Sequence, residues 1–401
     1  MKETSTLLTF SAWTTYILIN FFLAFLADLA QWPPRTQNFW FACITTTIGT
    51  IFTEFPLYVI LFKVWMWFVI AIMDGWFSIP IVKSSIIQVL MLILDIFTMS
   101  ILFYNFYKNY KTRQIILTQT YEFEHYGPEL PSITSSKFWL CIMPPLHIPL
   151  NIKVFRDITY GTQEELRQVG KENESYLKLD IYVPKYSQKK DSLPIMLFIH
   201  GGNWMSMDKL IPFPQPLYLS NCKRALRWIK ENIISYGGDP NFIAVSGDSA
   251  GGHLAALMAL TANDKLYQPG FECIDTKVQA CIGINEICGK NRSDINKDDI
   301  REMLENASPE ILVGRKGNLN EELVPFLIIH GDNDQLINIR SCREFVKTFR
   351  ISAPNSKLVS IELPGAHHGY HFVSSPRTHY SMIAMLRFLN WAYQTSSNYN
   401  K

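Results

Sequence analysis

The first 107 residues of this 401-residue chain carry very few charged side chains. They hold nine, about 8%, whereas the remaining 294 residues hold 63, about 21%. The first fraction is too low for a surface that faces water, and the second is usual for a globular domain. The chain therefore combines an N-terminal part suited to a lipid bilayer with a C-terminal part suited to water.

Three apolar segments of the N-terminal part are long enough to cross a bilayer, which takes about 20 residues of helix. They are Ser5–Ala27, Asn38–Phe62 and Ser84–Tyr107. The first is interpreted as an uncleaved anchor, and the second is expected to kink because it contains Glu54 and Pro56. The stretch Val64–Val82 predicts either a fourth span or a helix at the membrane interface. We predict three spans, with the fourth left open.

Glu54, Asp74 and Asp95 interrupt these segments without polar companions, which predicts positions inside the helix bundle or at an interface rather than an ion pathway. The domain organisation predicted is a transmembrane region at 1–107, a connector at 108–152 and a catalytic domain at 153–401. We expect an integral membrane protein of the endomembrane system, at the endoplasmic reticulum. The side of the membrane on which the catalytic domain lies stays open, because the distribution of basic residues depends on the number of spans.

From residue 153 onward, short β-branched runs alternate with helical stretches. Apolar runs such as Ile195–Ile199 are typical of strands that are buried on both faces. This pattern predicts an α/β fold with a mostly parallel sheet and helices on both faces. The predicted strands are Val154–Tyr160, Tyr176–Val183, Leu193–His200, Phe242–Ser246, Val278–Ile284, Val324–His330 and Lys357–Leu363. The predicted helices are Leu219–Tyr236, Ser249–Ala262, Asp299–Glu305, Ile339–Phe349 and Pro376–Tyr393.

A candidate nucleophile follows one of these strands. Gly247-x-Ser249-x-Gly251 lies between the apolar run that starts at Phe242 and an alanine-rich helix, which is the strand–turn–helix context of a reactive serine. Glycines flank the serine because the turn is strained and the helix packs close to the strand. The start of the helix also favours a developing negative charge. Ser249 is therefore the predicted nucleophile.

A serine hydroxyl needs a base, and the base needs an acid to orient it. His253 lies one helical turn after Ser249 and is expected to pack locally. Two strand ends further along the chain supply better candidates: one carries Asp332 and Asp334, and the other carries His367 and His368 within Gly365–His371. Spacing alone leaves both choices open. The acid that does not orient the base is expected to cap the loop backbone.

A third strand end carries the sequence His200-Gly201-Gly202. Glycines without side chains let backbone N–H groups point into a cavity. Together with the N–H of Ala250, the N–H groups of Gly201 and Gly202 are predicted to form an oxyanion hole. Each such donor is worth about 3–4 kcal/mol to the transition state in comparable enzymes.

Composition excludes several other classes of function. The formal net charge of +2 lacks the basic excess that nucleic-acid binding requires. None of the seven cysteines forms a C-x-x-C pair, so no zinc or redox motif is expected. We expect neither a metal nor an organic cofactor and no nucleic-acid partner.

These motifs resemble the α/β-hydrolase superfamily, specifically its hormone-sensitive-lipase-like and BD-FAE-like esterases. The resemblance covers about 153–393, and a subset of this family carries N-terminal membrane helices. It implies hydrolysis of carboxylic esters, and it selects Asp334 as the acid and His368 as the base. The matching segments are His200–Trp204 for H-G-G-x-W, Gly247–Gly252 for G-D-S-A-G-G, His330–Ile337 for H-G-x-x-D-x-x-[VI], and Gly365–Tyr370 for G-x-x-H-G-[FY].

The chain departs from the family between His200 and Ser249, which lie only 49 positions apart. The segment Met205–Ser220 contains three prolines and offers no buried strand. We therefore predict that one central strand is missing. The strands that end at His200 and Ser249 should still be neighbours, because the missing strand belongs on the other side of the first. Such a gap would leave backbone groups unpaired.

Two functions follow from these observations. The first is a membrane-anchored serine carboxylesterase, or lipase-like hydrolase, that cleaves lipophilic esters delivered from membrane lipid. The alternative is a catalytically weak or inactive binding protein, or a truncated isoform, which the missing strand motivates.

Overall fold

The computed structural model describes residues 2–33, 39–73, 86–142, 151–169, 177–186, 192–202, 215–286, 308–318 and 322–399. Four helices form the N-terminal part: α1 (Lys2–Gln31), α2 (Phe39–Glu54), α3 (Pro56–Met73) and α4 (Ile86–Gln119).

Two stretches of these helices are long and apolar enough to cross a membrane, Thr14–Gln31 in α1 and Val89–Gln119 in α4. Helices α2 and α3 meet at Phe55 with a bend of 77° and would add a third crossing if they count as one. The bend falls where the sequence predicts a kink, because Pro56 has no N–H and readily starts a new helix. Of the stretch that was left open as a fourth span or an interfacial helix, 64–73 belongs to α3 and 74–82 lies outside the described residues.

Two of the three acidic residues in the apolar segments do have polar companions, contrary to the prediction. Asp95 is buried and forms an ion pair with Lys63, with 2.6 Å between Nζ and Oδ1. It also accepts hydrogen bonds from Tyr16 and from Trp67. Its partners lie on α1 and α3, so they are not visible from the local sequence around Asp95. Glu54 contacts Ser375 and Arg377 of the α/β domain. Asp74 lies outside the described residues.

After α4 come the short helix α5 (Ser136–Ile142), strand β1 (Ile152–Thr159), helix α6 (Gln163–Val169) and strand β2 (Lys178–Pro184). Strands β1 and β2 form a separate antiparallel pair. The main sheet has five described strands in the order β3-β4-β5-β6-β7, all parallel to their neighbours. They are β3 (Leu193–Ile199), β4 (Gly238–Asp248), β5 (Ala280–Ile284), β6 (Phe326–Gly331) and β7 (Leu358–Leu363).

Helices cover both faces of this sheet, as predicted. They are α7 (Gln215–Asn232), α8 (Ala250–Leu260), α9 (Pro309–Asn318), α10 (Ile339–Ser352) and α11 (Pro376–Tyr399). Alternate residues of β4 enter different cores: Ile243 and Val245 pack with α7, α8 and α10, whereas Phe242 and Ala244 pack with α11. The mostly parallel α/β sheet is therefore confirmed. The predicted helix at 299–305 lies outside the described residues.

Helix α4 does not end at the boundary of the predicted transmembrane region at residue 107. It continues without a break to Gln119, through the first part of the predicted connector. Ile116, near its end, is fully buried in the same core as Ala244 and Ile282 of the sheet. The helical region and the α/β domain thus share one helix and one hydrophobic core.

Strand β3 lies at the edge of the sheet, where the sequence predicts a gap. Its neighbour is β4, with Phe198 in register with Ser246, so the strands that lead to His200 and Ser249 are adjacent as predicted. Within the described residues no strand pairs with the outer edge of β3, and Met196 and Phe198 are 42% and 47% exposed. A strand in this position is usually covered or charged. The gap does not disturb the neighbouring strand ends that carry the candidate site.

Candidate active site

Ser249 occupies a strained turn between β4 and α8. Its φ of 52° and ψ of −121° are unfavourable for a residue with a side chain. The flanking glycines make the turn possible, because a Cβ at Gly251 would lie 2.0 Å from the carbonyl oxygen of Ile199. The Ser249 N–H donates to Ile284 O at 2.9 Å, which ties the turn to β5. Ser249 is half-buried and directly follows the carboxyl end of β4.

Asp334 and His368 form a buried acid–base pair. His368 Nδ1 lies 2.7 Å from Asp334 Oδ2, and the other carboxylate oxygen accepts the N–H groups of Leu336 (2.9 Å) and Ile337 (2.8 Å). A second histidine, His330, lies 3.5 Å from the same carboxylate and donates from Nε2 to Ile337 O at 3.0 Å. Every oxygen of this acid therefore has a donor.

The ionisation of Asp334 suits the role of an orienting acid. Burial by itself would raise its pKa, but the charge and hydrogen bond of His368, together with His330 and the Ile337 N–H, hold the pKa below the ordinary value of 3.8. A carboxylate only accepts hydrogen bonds, so Nδ1 of His368 carries a proton. Nε2 of His368 is then the nitrogen that can accept a proton from a hydroxyl group.

The two residues left open by spacing have other partners. Asp332 accepts the N–H of Gly365 and so caps the loop that carries the histidines. His367 is fully buried and contacts Ala30 O of α1 through Nε2, at 2.9 Å. Burial lowers the pKa of His367 to about 4, so it is neutral at physiological pH. The structure thus brings Asp334 and His368 together and directs Asp332 and His367 elsewhere.

The nucleophile turn also lies against the glycine turn after β3. A Cβ at Gly201 would lie 3.1 Å from Ser249 Cβ. The Gly201 N–H, however, donates to Asp248 Oδ1 at 2.8 Å. The Gly201 N–H is thus engaged by a neighbouring carboxylate in this structure. The oxyanion hole of Gly201, Gly202 and Ala250 stays a prediction.

The segment Gly365–His371, which carries the candidate base, also contacts Asp248, the residue before Ser249. Asp248 Oδ2 lies 3.4 Å from His371 Nε2. Burial would raise the pKa of Asp248, but the hydrogen bonds from His371 and Gly201 and the charges of His371 and His368 lower it. Through His371, the segment that carries the histidines thus contacts the residue before Ser249. His253, by contrast, is buried within α8, in agreement with a packing role.

Asn285 is a site residue that sequence reasoning missed. It follows β5 directly, with φ 46°, in a conformation that asparagine tolerates better than most residues. Its Nδ2 donates to His368 O at 2.7 Å, and its Oδ1 accepts the N–H of Gly331 at 2.9 Å. Ile284 O, one residue earlier, accepts the Ser249 N–H. Ile284 and Asn285 therefore connect the turn at Ser249 with the loop that carries His368 and with the end of β6, the strand before Asp334. The place of Asn285 at a strand end was the signal available in the sequence.

We expect Asn285→Asp to lower kcat by about 10²-fold, the cost of a small misplacement of a catalytic group. The substitution keeps the acceptor for Gly331 but replaces the donor to His368 O with a second oxygen. Ester hydrolysis by purified variants would measure this. Asn232→Asp is the matched control, because Asn232 also donates to a backbone carbonyl (Trp228 O, 2.8 Å) but lies on α7. Equal kcat in the wild type and a folded Asn285→Asp variant would contradict this role.

The described residues contain no group of three or more histidine, cysteine, aspartate or glutamate side chains arranged to hold a metal ion. Asn203 and Trp204, the last residues of the predicted H-G-G-x-W motif, lie outside the described residues.

Several known proteins are similar in sequence to this chain. The family BD-FAE matches residues 212–349. The Mycobacterium tuberculosis protein "Probable carboxylic ester hydrolase LipM" is 29% identical over 61% of this chain and 64% of its own length. "Esterase LipC" of the same organism is 31% identical over 56% of this chain and 64% of its own length. The chain thus spans less than two thirds of these relatives.

A solved structure of esterase B from Lactobacillus rhamnosis, with an inhibitor, covers 63% of this chain and 91% of its own, at 16% identity and a TM-score of 0.49. The sequence relatives are named as ester hydrolases. The parallel strand order and the strained serine turn are in keeping with that similarity. The chain has a parallel α/β fold with helices on both faces, and it is similar in sequence to the BD-FAE family and to carboxylic ester hydrolases.

Proposed function

We propose that this protein is a membrane-anchored serine hydrolase that cleaves carboxylic esters of lipophilic substrates. The observation that carries the proposal is the buried Asp334–His368 pair, which is supported by the strained strand–helix turn at Ser249. A nucleophile, a base and an acid on three strand ends are the groups that acyl transfer requires.

The chemistry follows from these roles. Ser249 Oγ attacks the acyl carbon of the ester, and His368 Nε2 takes its proton. Asp334 holds the imidazole in the required tautomer and stabilises its positive charge. The N–H groups of Gly202 and Ala250 stabilise the negative oxygen of the tetrahedral intermediate. His368 then protonates the leaving alcohol, and a water molecule, activated by the same histidine, releases the acid and restores Ser249.

Two features support a substrate that arrives from the bilayer. Large apolar side chains on the N-terminal helices are exposed, as a lipid-facing surface requires. Examples are Phe21, Phe25, Trp65, Phe68 and Ile93. The loop that carries His368 also contacts α1 through His367 and Ala30. The loop that carries His368 therefore lies against a helix that would enter the membrane. A lipophilic ester would then have a short path between the lipid and the site.

A fluorophosphonate probe, which reacts with activated serines, tests the nucleophile. We expect the full-length protein in detergent to be labelled and Ser249→Ala to lose all labelling. Ser235→Ala is the control, since this exposed serine only donates to the backbone carbonyl of Asn232. Labelling that survives in a folded Ser249→Ala variant would contradict the assignment.

No strand among the described residues pairs with the outer edge of β3, which favours a second candidate, a catalytically weak protein that binds a small ligand in the same pocket. Turnover of p-nitrophenyl butyrate, measured beside a thermal melt, separates the two. A cooperative melt without turnover would select the binding protein, whereas turnover selects the hydrolase.

A further inference from the structure

The loop Pro364–Tyr370, which carries His368, rests on the helices that precede the hydrolase domain. His367 packs flat against α2, where a Cβ at Gly49 would lie 2.3 Å from its ring. On α4, the Lys108 side chain lies beside Gly365, with 2.9 Å from its Cδ to a Cβ built there. The base loop is therefore enclosed by α1, α2 and α4 as well as by its own domain.

A buried ion pair links α2 to the start of α11. Glu54 and Arg377 are 3% and 0% exposed, and Arg377 Nη1 donates to Glu54 Oε1. The other guanidinium nitrogen, Nη2, donates to Pro364 O at 2.9 Å. One side chain thus joins a carboxylate of the membrane helices to the first residue of the base loop.

The far end of the base loop is held by the same turn of α11. Thr378 Oγ1 donates to Tyr370 O at 3.0 Å, and its N–H donates to Ser375 Oγ at 3.2 Å. Ser375 Oγ in turn donates to Glu54 Oε2 at 2.7 Å. Both oxygens of Glu54 therefore hold the turn that fixes the two ends of the loop.

A third contact joins this turn to α4. Asn109 Oδ1 accepts the Arg377 N–H at 3.1 Å, and Asn109 Nδ2 donates to Thr53 O at 3.0 Å. The end of α2, the middle of α4 and the first turn of α11 thus form one hydrogen-bonded cluster around Glu54.

We propose that Glu54 is a positioning residue for His368, so that the N-terminal helices hold the catalytic base in place as well as anchoring the protein. This inference rests on the proposed function. Glu54 reaches the base loop through Arg377 and Ser375 and does not touch substrate. Its loss would leave the Arg377 guanidinium buried without its anion and free to pull away from Pro364 O.

The test compares three variants of the full-length protein. Glu54→Gln removes the charge at constant shape. Arg377→Lys keeps a cation for Glu54 but has no second nitrogen for Pro364 O. Asp95→Asn is the matched control, because Asp95 is a buried acid of the same helical region, paired with Lys63, and makes no contact with the base loop. Each variant is assayed for thermal melting, for kcat, KM and their pH profile on p-nitrophenyl butyrate, and for deuterium uptake of the peptide containing residues 364–370.

We expect Glu54→Gln and Arg377→Lys to lower kcat by about 10²-fold with little change in KM, to shift the pH profile and to speed deuterium uptake in the base loop. Asp95→Asn should lower the melting temperature yet keep kcat, the pH profile and the uptake of this peptide. If Glu54→Gln does not fold, Arg377→Lys decides the question.

Unchanged kcat and unchanged deuterium uptake in the Glu54 and Arg377 variants would overturn the inference. Equal losses of kcat in Asp95→Asn would also overturn it, because the effect would then be general destabilisation. A wild type that neither hydrolyses esters nor reacts with the fluorophosphonate fails the proposed function instead. In that case, faster exchange in Glu54→Gln alone still shows the structural link between Glu54 and the loop.

Discussion

Replacing His368 with alanine is expected to lower kcat by about 10⁶-fold, because the loss of one member of a serine–histidine–aspartate group disables the whole group. His368 is the histidine that contacts Asp334, through Nδ1 at 2.7 Å. The remaining activity would come from the oxyanion hole and from substrate binding. Single-turnover hydrolysis of p-nitrophenyl butyrate measures the loss.

The neighbouring histidine provides the matched comparison. His367 contacts Ala30 O and Asn333 rather than the acid, and burial keeps it neutral. We expect His367→Gln to cost far less activity than His368→Ala, and to do so by loosening the loop. A His367→Gln variant as inactive as His368→Ala would show that the roles of the two histidines have been assigned wrongly.

The second large effect is expected for Asp334→Asn, which should lower kcat by about 10⁴-fold with little change in KM. The amide keeps the shape of the side chain, but its NH₂ group can donate to His368 Nδ1. The proton of the imidazole then moves to Nε2, the nitrogen that has to accept from Ser249. Steady-state kinetics on purified variants would measure this.

Asp332→Asn is the matched control, because Asp332 caps the Gly365 N–H and does not touch His368. We expect only a modest loss for it. A larger loss in Asp332→Asn than in Asp334→Asn would reverse the choice of acid.

The melting temperature gives a second, activity-independent readout of Asp334. Its folded pKa lies below the ordinary 3.8, so its contribution to stability is complete above that pH and is lost as pH falls through the folded value. Asp334→Asn should therefore lose part of the acid sensitivity that the wild type shows below about pH 4.

The N-terminal helices are not structurally separate from the α/β domain. A division at residue 107 treats them as an anchor joined by a connector, yet α4 runs from the apolar region into the core of the α/β domain. Charge content marks a change of surroundings, not the end of a helix. A helix that is apolar and exposed at one end and buried by α11 at the other end shows no break in its sequence.

The polar companions of Glu54 and Asp95 show a second limit. In the sequence, both acids lie within mainly apolar segments. Arg377, the partner of Glu54, is 323 positions away, and Tyr16, a partner of Asp95, is 79 positions away. A buried acid signals that a partner exists, since an unpaired charge is costly in such surroundings. Which partner it has depends on packing that local sequence does not contain.

The adjacency of β3 and β4 was predictable because it depends on local patterns. Apolar runs of strand length alternate with helical stretches, and His200 and Ser249 lie only 49 positions apart. Parallel strands end at the same edge, so the three motifs had to meet there. Chain order alone thus brought Ser249, the acid loop and the histidine loop to one rim of the sheet.

The sequence by itself determined the fold class and the order of the motifs and predicted the nucleophile, because these depend on residue types at short range. The tertiary structure alone showed the 2.7 Å contact between His368 and Asp334, the hydrogen bond of the Gly201 N–H to Asp248, and the contacts of Asn285 and Glu54. Neighbouring side chains on a loop point in different directions. Which of them meets a partner is decided by contacts between segments that are far apart in the chain.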